Sequence, residues 1–344
     1  MDYTLIVMWV GFFLASYSVV GNDVIQTLGT FLTSNEDRAP WWTLWIFAAS
    51  ILSIALVYGF LQNDISYGRL DRFSAPEVMP WYYLLPPIVL LLITRSGIPV
   101  STTFMILTLF SIQDLPAEFS TLMGSIFDTE QKLGGMIYKS VLGYIVALSS
   151  GLIIFVAISR YTERIFVLNP IPKGQRYIWT IIQWCTTAFL WFQWLSQDLA
   201  NIYIYFGGGD DLNVFEFIIS LLIIVGLLGY IFYRKGGAVQ DIVRSKFNTA
   251  DIRSATFIDF IYGVILYIFK YDYFGIWGGK IPMSTTWIFV GLLAGREMGI
   301  VLVQNGYVAR AILNMLFADL GKIFFGLLVS IVLVFLIKYL SVIM

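Results

Sequence analysis

The chain has 344 residues, 58% hydrophobic and 12% charged, with a formal net charge of −1. Soluble domains carry about 25% charged residues, so this chain cannot cover itself with a water-facing surface, and its near-neutral balance gives no reason to expect nucleic acid. It has no histidine and one cysteine, Cys185, which excludes histidine acid–base or metal chemistry and any intrachain disulfide.

The first segment, "MDYTLIVMWV", has an acid where a secretory leader needs Lys or Arg, and no A-x-A site follows it. It reads as a retained membrane helix. Residues 3–33 are apolar but broken at Gly21-Asn22-Asp23, and Trp41–Gln62 carries no charge. About 20 apolar residues in a helix cross a bilayer core. Trp41–Trp42 and Trp81-Tyr82-Tyr83 suit an interfacial belt. Residues 63–80 are polar, with Asp64, Arg69, Asp71, Arg72 and Glu77. Next come two short apolar arms, 81–94 and 100–112, about 21 and 20 Å long as helices. Neither reaches across a core of about 30 Å, so the arms around "RSGIP" predict a re-entrant hairpin. A full helix over about residues 133–158 closes the half.

The second half repeats this order: 177–206, 214–233, a polar stretch 234–253, a hairpin around "GGKIP", and 311–340. Ser101 and Ser284 lie 183 residues apart, as do Lys139 and Lys322, while Asp23 and Asp198 lie 175 apart. Three echoes in one order indicate an internal repeat. Basic residues crowd 159–176 and 234–253, so both are expected in the cytoplasm, with the N- and C-termini outside. The arginines of the outer loop 63–80 run against that rule. Three crossings and a hairpin per half turn the second half upside down. The predicted fold is therefore an all-α integral membrane protein, an inverted-topology repeat transporter with discontinuous helices and two re-entrant hairpins. Residues 1–158 form the first repeat, 159–176 a cytoplasmic linker and 177–344 the second repeat. Such a multi-pass protein belongs in the plasma (inner) membrane, in the lipid bilayer, and a homodimer is left open.

"IPVSTT" and "IPMSTT" each open an apolar run. Proline suits the first turn of a helix and Ser/Thr caps it. The free N–H groups and positive dipole end, with hydroxyls from Ser101, Thr102 and Thr103 and from Ser284, Thr285 and Thr286, make a cradle for a small oxyanion. The plainer alternative is a pair of ordinary N-caps. Asn22, Asp23 and Gln26 in one half and Gln197, Asp198 and Asn201 in the other gather hard oxygen donors around a membrane carboxylate. Such clusters suit Na⁺, bound at Asp23 and Asp198, while a carboxylate could carry H⁺ instead. Asp259 reads as structural and Phe104 and Trp287 as packing. Lys139 and Lys322 read as snorkelling from helix starts, Lys322 within reach of Asp319.

These residues resemble the inorganic phosphate transporter (PiT) family, which carries a GANDVANAxGT-like and a PVSTTH-like segment in each half. "GNDVIQTLGT" matches at Asn22, Asp23, Val24, Gly29 and Thr30, "QDLAN" at Asp198, Ala200 and Asn201, and "PVSTT" (99–103) and "PMSTT" (282–286) match the others. The resemblance implies inverted-repeat, cation-coupled phosphate uptake, with the STT segments on the substrate and the acid motifs on the cation. The chain departs from the pattern at Phe104 and Trp287, which stand for histidine, and at Gln26 and Gln197, which stand for asparagine. Its second acid motif ends in "IYIYF" and it has no large central loop. Sulfate permeases share this scaffold, so the substrate stays open between phosphate and another small oxyanion. The expected function is a cation-coupled symporter of inorganic phosphate. Alternatives are a sulfate or other oxyanion permease and an uncoupled anion channel. No HExxH, GxSxG or P-loop pattern occurs, which argues against an enzyme or an ATP-driven pump. No cofactor is expected beyond the coupling ion.

Overall fold

A computed structural model describes residues 3–96, 100–116, 118–158, 169, 171–209, 212–235, 252–273, 275–276, 280–303 and 309–343. Twelve α-helices occur among the described residues. They are α1 (Tyr3–Asn35), α2 (Trp41–Leu61), α3 (Leu85–Arg95), α4 (Thr102–Ser111), α5 (Phe119–Phe127), α6 (Lys132–Ile158), α7 (Lys173–Asp198), α8 (Ala200–Tyr203), α9 (Val214–Tyr233), α10 (Ile252–Tyr271), α11 (Thr285–Val303) and α12 (Ala309–Ile343). Local chemistry marks several ends. Pro86 and Pro87 lie in the first turn of α3, where a missing N–H costs nothing. Asn213 and Glu216 form a reciprocal capping box at α9. Gly207, at φ +65°, ends the turn after α8 in the left-handed region that glycine adopts freely.

Six helical segments among the described residues are long and apolar enough to cross a membrane: Tyr3–Val24, Trp41–Leu61, Phe119–Ala157, Val214–Tyr233, Ile252–Tyr271 and Phe317–Ser341. Their outward faces are apolar as well. Ile46, Ile54, Leu61, Leu222, Leu328 and Val332 are all exposed. Helices that are hydrophobic on the core side and the outer side alike are those a bilayer surrounds.

Elements from the two halves interlock. Helix α3 packs on α1 as α10 packs on α7, and α4 packs on α12 as α11 packs on α6. The α6–α11 contact is the closest. Gly143, Ala147 and Gly151 on α6 meet Gly291, Gly295 and Gly299 on α11. A Cβ added at Gly295 would lie 2.1 Å from the Leu148 carbonyl oxygen, and one at Gly151 would lie 2.6 Å from that of Leu292. Small residues at this spacing let two helix backbones touch.

Contacts define two ends. At one, Trp81 N donates to Tyr3 Oη (3.0 Å), Lys338 Nζ donates to Gln113 O (2.7 Å), Gln113 Nε2 donates to Ser74 O (2.6 Å), and Lys280 pairs with Asp71 (2.7 Å). The hydrogen bond that Lys280 donates to Asp71 raises the pKa of Lys280. At the other end Lys235 pairs with Glu36 (3.0 Å), and Arg253 Nη2 donates to Asn169 O (3.2 Å).

Three expectations need correction. Helix α1 runs unbroken through Gly21-Asn22-Asp23, because Val19, Val20, Val24 and Leu28 are buried around it and packing outweighs the local cost of one glycine. The interruption falls instead at Leu199, just after Asp198, where the backbone stays right-handed (φ −56°, ψ −29°). Helices α3 and α4, with 11 and 10 residues, are as short as the arms expected of the first hairpin, but in the second half α10 and α11 have 20 and 19 residues. The polar stretch 63–80 is no simple surface loop, since Ile65, Ser66, Arg69, Leu70 and Met79 are buried. Both hairpin turns fall partly outside the described residues, at 97–99 and 277–279, as do most of 159–176 and 234–253.

Candidate functional site

The starts of α4 and α11 converge, and their first residues divide the labour. Ser101 Oγ accepts from Phe104 N (3.2 Å) and Ser284 Oγ from Trp287 N (3.3 Å), so both serines are N-caps. Each uses an acceptor position in this way and keeps a hydroxyl proton to donate. The second threonines cross between the halves. Thr103 Oγ1 lies 3.3 Å from Met283 O and equally 3.3 Å from Asp198 Oδ1, with one proton to give to either, and Thr286 Oγ1 donates to Val100 O at 3.3 Å. The contacts with Met283 and Val100 join equivalent positions of the repeat in opposite directions. The Phe104 and Trp287 rings meet edge to face at 5.6 Å, which is the packing role expected of them.

The first threonines face the acids. Thr102 Oγ1 donates to Asp23 Oδ2 (2.6 Å), and Thr285 lies beside Asp198. Asn22 Nδ2 donates to Asp23 Oδ1 (2.6 Å) and to Val100 O (2.7 Å), tying α1 to the lead-in of α4. Asn201 Nδ2 reaches Asp198 Oδ1 (2.8 Å), Thr102 Oγ1 (3.1 Å) and Thr103 Oγ1 (3.3 Å). Asp23, Thr102, Asn201 and Asp198 therefore form one continuous chain of hydrogen bonds. Asp23 and Asp198 are each 1% exposed, and they lie close enough to repel one another. The sequence suggested an anion cradle and a separate cation pair, but the fold merges them into a single cluster.

Two expected cation ligands stand apart. Gln197 Oε1 accepts from Arg69 Nη2 (2.6 Å) and its Nε2 donates to Leu266 O (3.2 Å), so both ends are committed. Gln26 is buried, but its amide nitrogen has no partner among the described residues. Three oxygens within the cluster, Asn22 Oδ1, Asn201 Oδ1 and Asp198 Oδ2, are buried without a hydrogen-bond partner among the described residues. An orphaned buried oxygen is costly, and side-chain oxygens are the donor type a hard cation takes.

Sequence reasoning missed two groups. Arg69 comes from the stretch read as an outer loop. Its Nη1 donates to Ile281 O at 3.0 Å, three residues before Ser284. Burial lowers its pKa to about 10 and Asp198 opposes the fall, so it is a cation at neutral pH. Its signal in the sequence was an arginine on the side that the charge rule assigns to acids. Tyr262 on α10 donates to Thr285 O (3.1 Å) and shows no motif. Lys139 does not snorkel, because it is 1% exposed in the interior, whereas Lys322 is partly exposed and pairs with Asp319 at 3.5 Å. Asp259 is held by Thr30 Oγ1 (2.5 Å) and Thr187 Oγ1 (2.6 Å), in keeping with a structural role.

The fold and the buried polar cluster at its centre define an all-α protein of the membrane class. Comparison with family models, curated proteins and solved structures finds no match.

Proposed function

We propose that the chain is a cation-coupled secondary transporter of a small oxyanion, with inorganic phosphate as the favoured substrate and Na⁺ as the favoured coupling ion. The observation that carries this reading is the single buried cluster in which both acids meet both STT helix starts. Two carboxylates out of water cost several kcal/mol each unless they are neutralised. An oxyanion brought beside them adds to that cost. A cation bound with the oxyanion removes it, and this makes the binding of each depend on the other. The exchange of packing partners between the halves, and the paired Thr103 and Thr286 bonds, support an inverted repeat hinged on this cluster. In that arrangement the end with Tyr3, Asp71 and Lys338 faces outside, and the end with Glu36 and Lys235 faces the cytoplasm.

Asp23, Asp198, Asn22 and Asn201 would hold the cation, and the STT hydroxyls with the first N–H groups of α4 and α11 would hold the oxyanion. The closeness of the two acids favours a second reading of the coupling step, because a carboxylate pair can share a proton. Uptake of radiolabelled phosphate and sulfate into proteoliposomes tests the proposal. Phosphate should accumulate under an inward Na⁺ gradient at fixed pH. Accumulation that follows a pH gradient and ignores Na⁺ selects the proton reading. Uptake that only equilibrates under either gradient selects the uncoupled channel and defeats the proposal.

A further inference from the structure

Among the described residues, the buried cation beside the cluster has no ion-pair partner. Arg69 is 2% exposed, yet its two hydrogen bonds go to neutral acceptors, Gln197 Oε1 and Ile281 O. Among the described residues no carboxylate lies within ion-pair distance of it. A guanidinium has five N–H donors, so about three remain without a protein acceptor. A buried charge that is neither paired nor fully hydrogen-bonded is expensive, and arginine is the side chain whose flat fork fits an oxyanion on two bonds.

Its neighbours sharpen the argument. Lys270, at the end of α10, lies near Arg69, and among the described residues Asp198 is the carboxylate that attracts it. The ammonium of Lys270 is spread over the rings of Tyr67 (4.7 Å) and Tyr271 (5.0 Å). Positive charge therefore gathers beside the acid cluster, at the lead-in to α11. The two helix starts contribute roughly half a charge each, which cannot by itself offset two carboxylates and an incoming anion.

We propose that Arg69 is the anion anchor of the site, binding the oxyanion through its free N–H groups between the lead-in to α11 and the STT threonines. This rests on the oxyanion-transport reading and adds to it the group that recognises charge. It also gives the stretch 63–80 a purpose, since that segment folds inward and carries Arg69 to the cluster.

Inorganic phosphate titrated calorimetrically into the detergent-purified full chain tests the assignment, with Arg69→Gln and Arg69→Lys as the variants. Charge-assisted hydrogen bonds predict that Arg69→Gln weakens binding by at least about tenfold, and that Arg69→Lys, which keeps the charge but loses the fork, falls between it and wild type. A folded Arg69→Gln that binds phosphate within about twofold of wild type overturns the assignment while leaving the transport reading standing. If Arg69→Gln does not fold, unchanged binding by Arg69→Lys overturns it equally. Wild-type protein that binds neither phosphate nor sulfate overturns both the assignment and the reading beneath it.

Discussion

Asp23 accepts from the Thr102 hydroxyl and Asp198 from the Asn201 amide, and the two acids are bridged because Asn201 also donates to Thr102. The serines beside them hold a different position, since each caps a helix that begins at the cluster. Replacing both, Ser101→Ala with Ser284→Ala, separates the two roles. Loss of a cap costs about 1 kcal/mol per helix, which a thermal unfolding scan in detergent should register as a lower midpoint. If the free hydroxyl protons also hold the oxyanion, the half-saturation concentration for phosphate uptake should rise by about tenfold or more. A variant that loses stability but keeps its affinity would leave the serines as caps alone, and the threonines would then carry the substrate. The motif residues were legible in the sequence because each triplet follows a proline and opens an apolar run. Arg69 was not legible, because a polar stretch with balanced charges reads as solvated whatever its tertiary position.

At the scale of the helix, the α6–α11 contact is set by backbone proximity. Ala at Gly295 would bring its Cβ to within 2.1 Å of a main-chain oxygen, which no rotamer can relieve, whereas Gly226 on α9 has nothing within 4 Å. Gly295→Ala should therefore destabilise the fold by about 1–3 kcal/mol. Gly226→Ala should be neutral or stabilising by roughly 0.5–1 kcal/mol through helix propensity alone. Equal midpoints for the two variants in denaturant titrations would show that α6 and α11 do not pack this closely. Most helices could be placed from length and hydropathy, as with α2 and α9. Local signals failed where packing decides. Gly21-Asn22-Asp23 looks like a breaker, but buried neighbours on both sides keep α1 helical. The second hairpin was expected to match the first, yet α10 is a full 20-residue helix whose polar face is buried against α7 and α1.

Over the whole molecule, the two ends differ in which segments they collect. Tyr3, Asp71, Gln113, Lys280 and Lys338 share one end, and Glu36 and Lys235 share the other. With the exposed Cys185 replaced by serine, single cysteines at Asp71 and Asp128 should react with an impermeant thiol reagent added outside whole cells. A cysteine at Arg38 should react only after permeabilisation. Labelling of Asp71 and Arg38 positions from the same side would break the proposed topology. The recurrence of three motifs in one order was legible in the sequence, and the structure brings those motifs together at one cluster. What stayed hidden was the merging of the acid motifs and the STT triplets into one set of hydrogen bonds, because sequence spacing carries no information about contact between α1, α4 and α8. That merging is the basis of the coupling proposed here, and one measurement bears on it most directly. Concentrative phosphate uptake is driven by an imposed Na⁺ gradient in proteoliposomes, with wild type compared against a folded Asp23→Asn, Asp198→Asn double variant. The account predicts accumulation by wild type and its loss in the double variant, together with weaker phosphate binding, because the two ligands are linked. Undiminished accumulation by the double variant would contradict it.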